Sequence, residues 1–167
     1  KKRRRKKSRR TTRSKKEAEP PRVKRVKLHI ADRQSELTLQ QGRLWEALEE
    51  AARQEDVEVE LSLAVVHDRE MKRLNDRFLD RDETTDVLSF GYDRNTGRIE
   101  GEVIINASEA IRQCARRKHS AHDELMLYAV HGLLHLIDYN DLDPDEADIM
   151  HRREAEILRS VGRPIEF

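Results

Sequence analysis

The sequence is poor in cysteine and in long apolar runs, and both shortages exclude classes of protein. Its one cysteine, Cys114, cannot form an intramolecular disulfide, which suits a reducing compartment, and we predict that it is a small core residue. No apolar run approaches the ~18 residues needed to cross a bilayer, so no membrane span is predicted. No apolar segment follows the basic start either, which disfavours a secretory signal, although a first residue other than Met leaves open that the natural chain begins upstream.

Hydrophobic residues are also scarce, at 36%, because the chain joins two unlike parts. Residues 1–30 hold 16 lysines or arginines and 2 glutamates, a net charge of +14, so the remainder carries −13 and the overall +1 is a cancellation. We predict a disordered basic tail at 1–21 and one folded domain at 22–167. The tail is either an RNA-binding arm or a solubilising or sorting segment. In the first case, the release of counterions from RNA would favour binding of its lysines and arginines. The residues predicted to bind RNA are Lys1, Lys2, Arg3, Arg4, Arg5, Lys6, Lys7, Arg9 and Arg10.

The periodicity of the domain predicts an α+β (mixed α/β) fold, a small, mostly four-stranded sheet packed with about five helices. The expected order is β-α-β-α-β-β-α-α-α. Asp68 is the expected N-cap of the second helix, with Met71, Leu74 and Phe78 turned inward. The predicted strands are 23–30, 57–65, 87–92 and 101–105, and the predicted helices are 35–54, 68–79, 108–117, 121–137 and 144–161.

The chemistry is concentrated at the end of the most apolar predicted helix, where His131 and His135 are four residues apart. This spacing projects both imidazoles from one helical face, and Asp141 follows six residues later, after room for a turn. Such a set can give a metal three ligands and leave one position open. The alternative is that the histidines are packed core residues and the acidic turn is merely solvated. His151, on the next helix, either faces the site or faces water.

Gly132 stands where zinc peptidases of the His-Glu-x-x-His type place their general base. Glycine cannot move a proton, which disfavours proteolysis. We also expect Gly132 to reduce the bulk beside a metal and so to suit a large polyanionic substrate.

Three ordered blocks, together with an acidic last helix, resemble the YbeY family of bacterial endoribonucleases. The blocks are Thr-Asp-Val-Leu-Ser-Phe at 85–90, Gly-Glu-Val-Ile at 101–104 and His-Gly-Leu-Leu-His-Leu at 131–136, and the helix carries Glu-Ala-Glu-Ile-Leu at 154–158. The resemblance implies one Zn²⁺ per chain, a cytoplasmic location, and a ribosomal RNA or ribosomal-subunit substrate, with ribosome-associated proteins as further partners. It also implies a substrate cleft near Asp86, Ser89 and Glu102, although the first two could be turn and sheet residues and the third a surface carboxylate.

The chain departs from the family pattern at four positions, one of which is Asn140 in place of an aspartate. Asp138 replaces a glycine at a turn that favours a left-handed backbone, and Asp141 replaces the third histidine, which keeps a metal-binding oxygen. Leu79 stands where the family has an arginine thought to act on RNA, and Arg77 and Arg81 flank it as possible substitutes.

The resemblance implies a single-strand-specific endoribonuclease that matures rRNA, including the 16S 3' end, and serves ribosome quality control. The predicted catalytic residues are His131, His135, Arg77 and Arg81. Two alternatives remain: an RNA- or ribosome-binding factor with a structural or degenerate metal site, and a metal-dependent hydrolase of a non-RNA substrate such as a peptide.

Overall fold

The computed structural model describes residues 26–95, 98–165 and 167, and the element order within them confirms the predicted α+β succession. The predicted tail at 1–21 lies outside the described residues. The strands are β1 (Val26–Asp32), β2 (Glu58–Val66), β3 (Val87–Asn95) and β4 (Arg98–Asn106). The helices are α1 (Gln41–Gln54), α2 (Asp68–Leu79), α3 (Ala107–Cys114), α4 (Ala121–Leu136) and α5 (Pro144–Ser160).

The four strands form one mixed sheet in the order β1-β2-β4-β3. β1, β2 and β4 run parallel, and β3 returns antiparallel beside β4. Alternation along β2 sends Val59, Leu61, Leu63 and Val65 into the main core, because successive side chains of a strand point to opposite faces. The sheet therefore has one face built to receive helices.

α4 is the central helix of that face, and its sequence explains both its start and its depth. Ser120 and Asp123 form a capping box, which satisfies the first free backbone N–H groups. Gly132 then allows close approach to the sheet, since a Cβ there would lie 2.5 Å from a methyl group of Val103. Our expectation that Gly132 makes room beside a metal is wrong, because this glycine faces β4 and makes room for the sheet.

The opposite face of the sheet is partly covered by α2, whose Met71 packs on Leu88 and Ile104 in a second, smaller cluster. Phe78 was expected inward but is 53% exposed, and its ring is tilted by 56° against that of Phe90, with ring centroids 5.1 Å apart. α2 follows the hydrophobic pattern only through Leu74, because its last turn runs past the edge of the small cluster.

Three local predictions are corrected by side-chain contacts. α1 begins at Gln41 rather than at 35, because the side-chain oxygen of Gln34 accepts from the N–H groups of residues 36 and 37 and holds a turn there. The N-cap of α2 is His67, since Asp68 is engaged by Arg112. Cys114 is only partly buried, with its thiol directed at the carbonyl oxygen of Ile111 at 3.2 Å. Among the described helices, none is both long and apolar enough to span a bilayer.

Candidate metal centre and cavity

His131 and His135 meet at the C-terminal end of α4 with their Nε2 atoms 2.9 Å apart. A carboxylate oxygen of Asp141 lies 3.7 Å from each of these nitrogens. These three side chains, called the metal trio below, are the only group of three or more His, Cys, Asp or Glu in the described residues with ligand atoms close enough to hold a metal ion. The spacing expected from the sequence thus converges on one point.

Asp141 reaches this point because the chain reverses just after α4. Asp138 has φ of 75°, the left-handed conformation expected for this position, and Tyr139 donates its N–H back to the carbonyl oxygen of Leu134. The side-chain oxygen of Asn140 then accepts from the N–H of Asp141 at 2.9 Å and fixes the turn. The sequence Asp-Tyr-Asn-Asp is therefore a helix stop that returns a carboxylate toward the histidines.

The donor set and spacing fit a zinc ion. A tetrahedral ion with ligand bonds of about 2.0–2.1 Å requires donor atoms roughly 3.3 Å apart, and the observed separations of 2.9 and 3.7 Å bracket that value. The other ring nitrogens are occupied, since Nδ1 of His131 is 2.6 Å from Glu154 and Nδ1 of His135 is 3.1 Å from the carbonyl oxygen of Tyr139. Both partners are hydrogen-bond acceptors, so Nδ1 of each histidine carries the proton. Each Nε2 therefore presents a lone pair to the point that the three ligands share.

Glu154 is the functional residue that sequence reasoning missed. It is 1% exposed and shares the inward face of α5 with Met150, Ile157 and Leu158, so a carboxylate amid apolar spacing was the available signal. Burial opposes protonation of His131, but the hydrogen bond and charge of Glu154, helped by Asp86 and Asp141, raise its pKa overall. Glu154 therefore fixes the imidazole and stabilises any positive charge that develops on it.

A cavity of about 400 Å³ adjoins the metal trio. α4 contributes Leu127, Tyr128 and His131 to its lining, and α5 contributes His151 and Glu154. The remaining lining residues are Thr84, Thr85, Asp86, Glu109, Gln113, Arg117, Asp141 and Phe167. His151 thus faces the cavity, with its ring stacked on Phe167 at 4.6 Å, and the alternative that it faces only water is wrong.

Comparison with known proteins decides the family. The family model of endoribonuclease YbeY matches residues 27–162. The chain belongs to the YbeY family. An endoribonuclease YbeY from Finegoldia magna is 34% identical over 110 residues, which cover 64% of this chain and 72% of the relative. Another, from Lysinibacillus sphaericus, is 30% identical over 149 residues, covering 81% of this chain and 95% of the relative. A solution structure from Thermotoga maritima shares the fold, with a TM-score of 0.55 and 22% identity over 81% of this chain and 91% of that one.

The residues that the YbeY resemblance associates with a cleft are divided between two faces of the sheet. Asp86 lines the cavity, and one of its oxygens accepts from the Thr85 hydroxyl and the N–H of Val87. Ser89 donates to the carbonyl oxygen of Gly132 at 3.2 Å, which ties β3 to α4. Glu102 pairs with Phe90 across the sheet, on the face away from α4, and accepts from Tyr92 at 2.8 Å.

The arginines predicted to act on RNA do not line the cavity. Arg77 is exposed and lies over the ring of Phe78, 5.5 Å from its centroid, and Arg81 is exposed after the end of α2. The arginine that does line the cavity is Arg117, which is held by both oxygens of Glu124 at 3.3 Å. Nothing in the local sequence distinguishes Arg117 from its neighbour Arg116, so its placement required the tertiary structure.

Proposed function

We propose that the chain is a zinc-dependent endoribonuclease that cleaves single-stranded ribosomal RNA, including the 3' end of 16S rRNA, in the cytoplasm. The observation that carries this proposal is the metal trio, in which three oriented ligands converge beside a cavity in a member of an endoribonuclease family. Ribosomal subunits and ribosome-associated proteins are the partners we expect.

The roles of the chain's own side chains follow from their contacts. His131, His135 and Asp141 would hold the ion, which when bound supplies a Lewis acid for the phosphodiester and for a water. Glu154 keeps the His131 proton on Nδ1 through the 2.6 Å contact, so that Nε2 remains a ligand. Asp86 has one oxygen without a partner among the described residues, and this oxygen can accept a proton from a water or a ribose hydroxyl in the cavity.

The cavity is rich in carboxylates, with Asp86, Glu109, Asp141 and Glu154 opposing the single arginine Arg117. An acidic cavity repels the RNA backbone unless positive charge is supplied from elsewhere. We propose that the bound metal supplies it at the scissile phosphate and that residues 1–19, with 12 lysines or arginines, supply it along the strand.

The first experiment is metal analysis of the purified full chain together with an RNA cleavage assay. We expect about one zinc per chain and metal-dependent cleavage in the wild type, and loss of both in His135→Ala and Asp141→Ala. His29→Ala, which removes an exposed histidine from β1, is the control and should change neither. Wild type that holds no zinc after reconstitution contradicts the proposal.

A second candidate function is an RNA- or ribosome-binding factor whose metal is structural. The excess of carboxylates in the cavity favours it, because it leaves the phosphate with little protein-derived positive charge. Zinc bound by the trio without cleavage of any single-stranded RNA would select this function. A peptide hydrolase is disfavoured because no glutamate stands at position 132.

Deleting residues 1–19 tests whether this segment contributes to RNA binding. If even half of the 12 cationic side chains contact phosphate, the log–log salt slope of single-stranded RNA binding should become shallower by about 4. Replacing those 12 residues with glutamine, at unchanged length, controls for loss of chain. An unchanged affinity and slope in both variants would leave the segment as a solubilising or sorting tail.

A further inference from the structure

Tyr128, whose side chain lines the cavity, carries a buried hydroxyl that has no partner within the described part of the chain. The side chain is 4% exposed, its oxygen is buried, and no hydrogen-bond partner for it exists among the described residues. Tyr128 lines the same cavity as His131, and it precedes His131 by three residues on α4, about one helical turn. Buried hydroxyls normally find a partner, so this one points to a group that enters the cavity.

The hydroxyl is a hydrogen-bond donor at any physiological pH. Burial raises the pKa of the Tyr128 phenol, and the surrounding carboxylates, Glu124 first, raise it further. A group that satisfies it must therefore offer a lone pair. Leu127 adds an apolar side chain to the lining of the cavity.

The lining of the same cavity also offers hydrogen-bond acceptors. The second oxygen of Asp86 and the amide oxygen of Gln113 have no partners among the described residues, because Asp86 is bonded through its other oxygen and Gln113 donates its amide nitrogen to Glu109. The side chains around Tyr128 thus combine one neutral donor, two acceptors and an apolar contact. Excess carboxylate disfavours phosphate here and favours an uncharged ligand that carries both donors and acceptors.

We propose that the part of the cavity around Tyr128 is a subsite for one nucleoside unit of RNA, base and ribose together, while the phosphate remains at the metal trio. The inference rests on the proposed function for its choice of ligand. Tyr128 would donate to a base oxygen or ring nitrogen, and Asp86 and Gln113 would accept from base or ribose donors. A volume of about 400 Å³ suits a ligand of this size, within the ~300–1,000 Å³ of small-molecule pockets.

Calorimetric titration of the zinc-loaded full chain tests the subsite without reference to cleavage. Uridine, cytidine, guanosine and adenosine are titrated separately, with inorganic phosphate as a further probe. We expect saturable binding of at least one nucleoside and a three- to tenfold loss of its affinity in Tyr128→Phe, which is what one neutral hydrogen bond contributes. The affinity of the same variant for phosphate and zinc should be unchanged.

Tyr92→Phe is the matched control, because it removes a hydroxyl from an exposed tyrosine whose partner, Glu102, lies on the other face of the sheet. It should leave nucleoside binding unchanged. Saturable binding that is equal in wild type and Tyr128→Phe would overturn the proposal and leave a bound water as the partner of Tyr128. Failure of all four nucleosides to bind would overturn it as well.

The outcomes separate this inference from the proposed function. RNA cleavage together with no effect of Tyr128→Phe on nucleoside affinity leaves the nuclease intact and refutes the subsite. Nucleoside binding that depends on Tyr128 without any RNA cleavage supports the subsite and refutes the nuclease.

Discussion

Replacing Glu154 with glutamine should weaken zinc binding about tenfold while the protein remains folded. Glutamine keeps the size of the side chain and can still accept from Nδ1 of His131, so the 2.6 Å contact survives as a neutral hydrogen bond. A charge-assisted bond exceeds a neutral one by roughly 1–2 kcal/mol, which corresponds to about a 5- to 30-fold change in affinity. That range overlaps the 10- to 100-fold typical of losing a metal ligand's supporting carboxylate.

Competition with a chromophoric chelator at fixed pH measures the zinc affinity of the full chain. Glu156→Gln is the control, since Glu156 lies two residues away on α5 but is 58% exposed and pairs with Arg153. A second readout is the pKa of His131 in the metal-free protein, measured by NMR. Burial lowers the pKa of His131, and the carboxylate of Glu154 is the main group that raises it. Without that carboxylate, the pKa should fall in Glu154→Gln. Wild-type zinc affinity in Glu154→Gln would refute the positioning role.

Three further predictions concern stability, each measured by urea denaturation. Gly132→Ala should destabilise the protein by about 1–3 kcal/mol, because its Cβ would meet the sheet at 2.5 Å, whereas Gly42→Ala, with no atom within 4 Å, should stabilise by up to ~1 kcal/mol. Asp138→Ala should cost about 1–2 kcal/mol at φ of 75°, while Asp138→Gly should be tolerated. Hydrogen bonds from Arg112 first, and also from Asn106 and Thr84, lower the pKa of Asp68 from 3.8 to about 2. Because this pKa is depressed in the folded state, its contribution is present above pH 3.8 and is lost as pH falls toward 2. Both side chains are about 40% exposed, so solvent screening limits that loss to ~1 kcal/mol or less, and Arg112→Gln should reduce it, because the hydrogen bonds from Asn106 and Thr84 remain.

The element order was predictable because the apolar periods of the strands and helices are local properties of the chain. β2 and α4 show this best, since the alternation of one and the apolar run of the other depend only on neighbouring residues. The start of α1 and the outward placement of Phe78 were not predictable in this way. They depend on what the side chain of Gln34 bonds to and on where the small cluster under α2 ends.

The metal trio was predictable because its ligands share one helix and one turn, so that sequence spacing fixes their geometry. Glu154 and Arg117 come from other elements, and only packing brings them to α4. Glu102 shows that membership of a family motif does not by itself place a residue at the site. Its motif is close in sequence to buried residues of β4, yet a strand alternates faces, and Glu102 falls on the face away from the site.

One side of α4 carries a polar stripe of Glu124, Tyr128, His131 and His135, which recur at helical spacing and contribute part of the site. The histidine end of the stripe is completed by Asp141, and with a cation bound it would attract phosphate. The Tyr128 end is surrounded by carboxylates and would exclude phosphate. Removing zinc should therefore weaken the binding of phosphate strongly and that of a free nucleoside little. Titration of both probes into metal-free and zinc-loaded protein measures the difference, and an equal loss for both would mean that the two ends of the stripe act as one site.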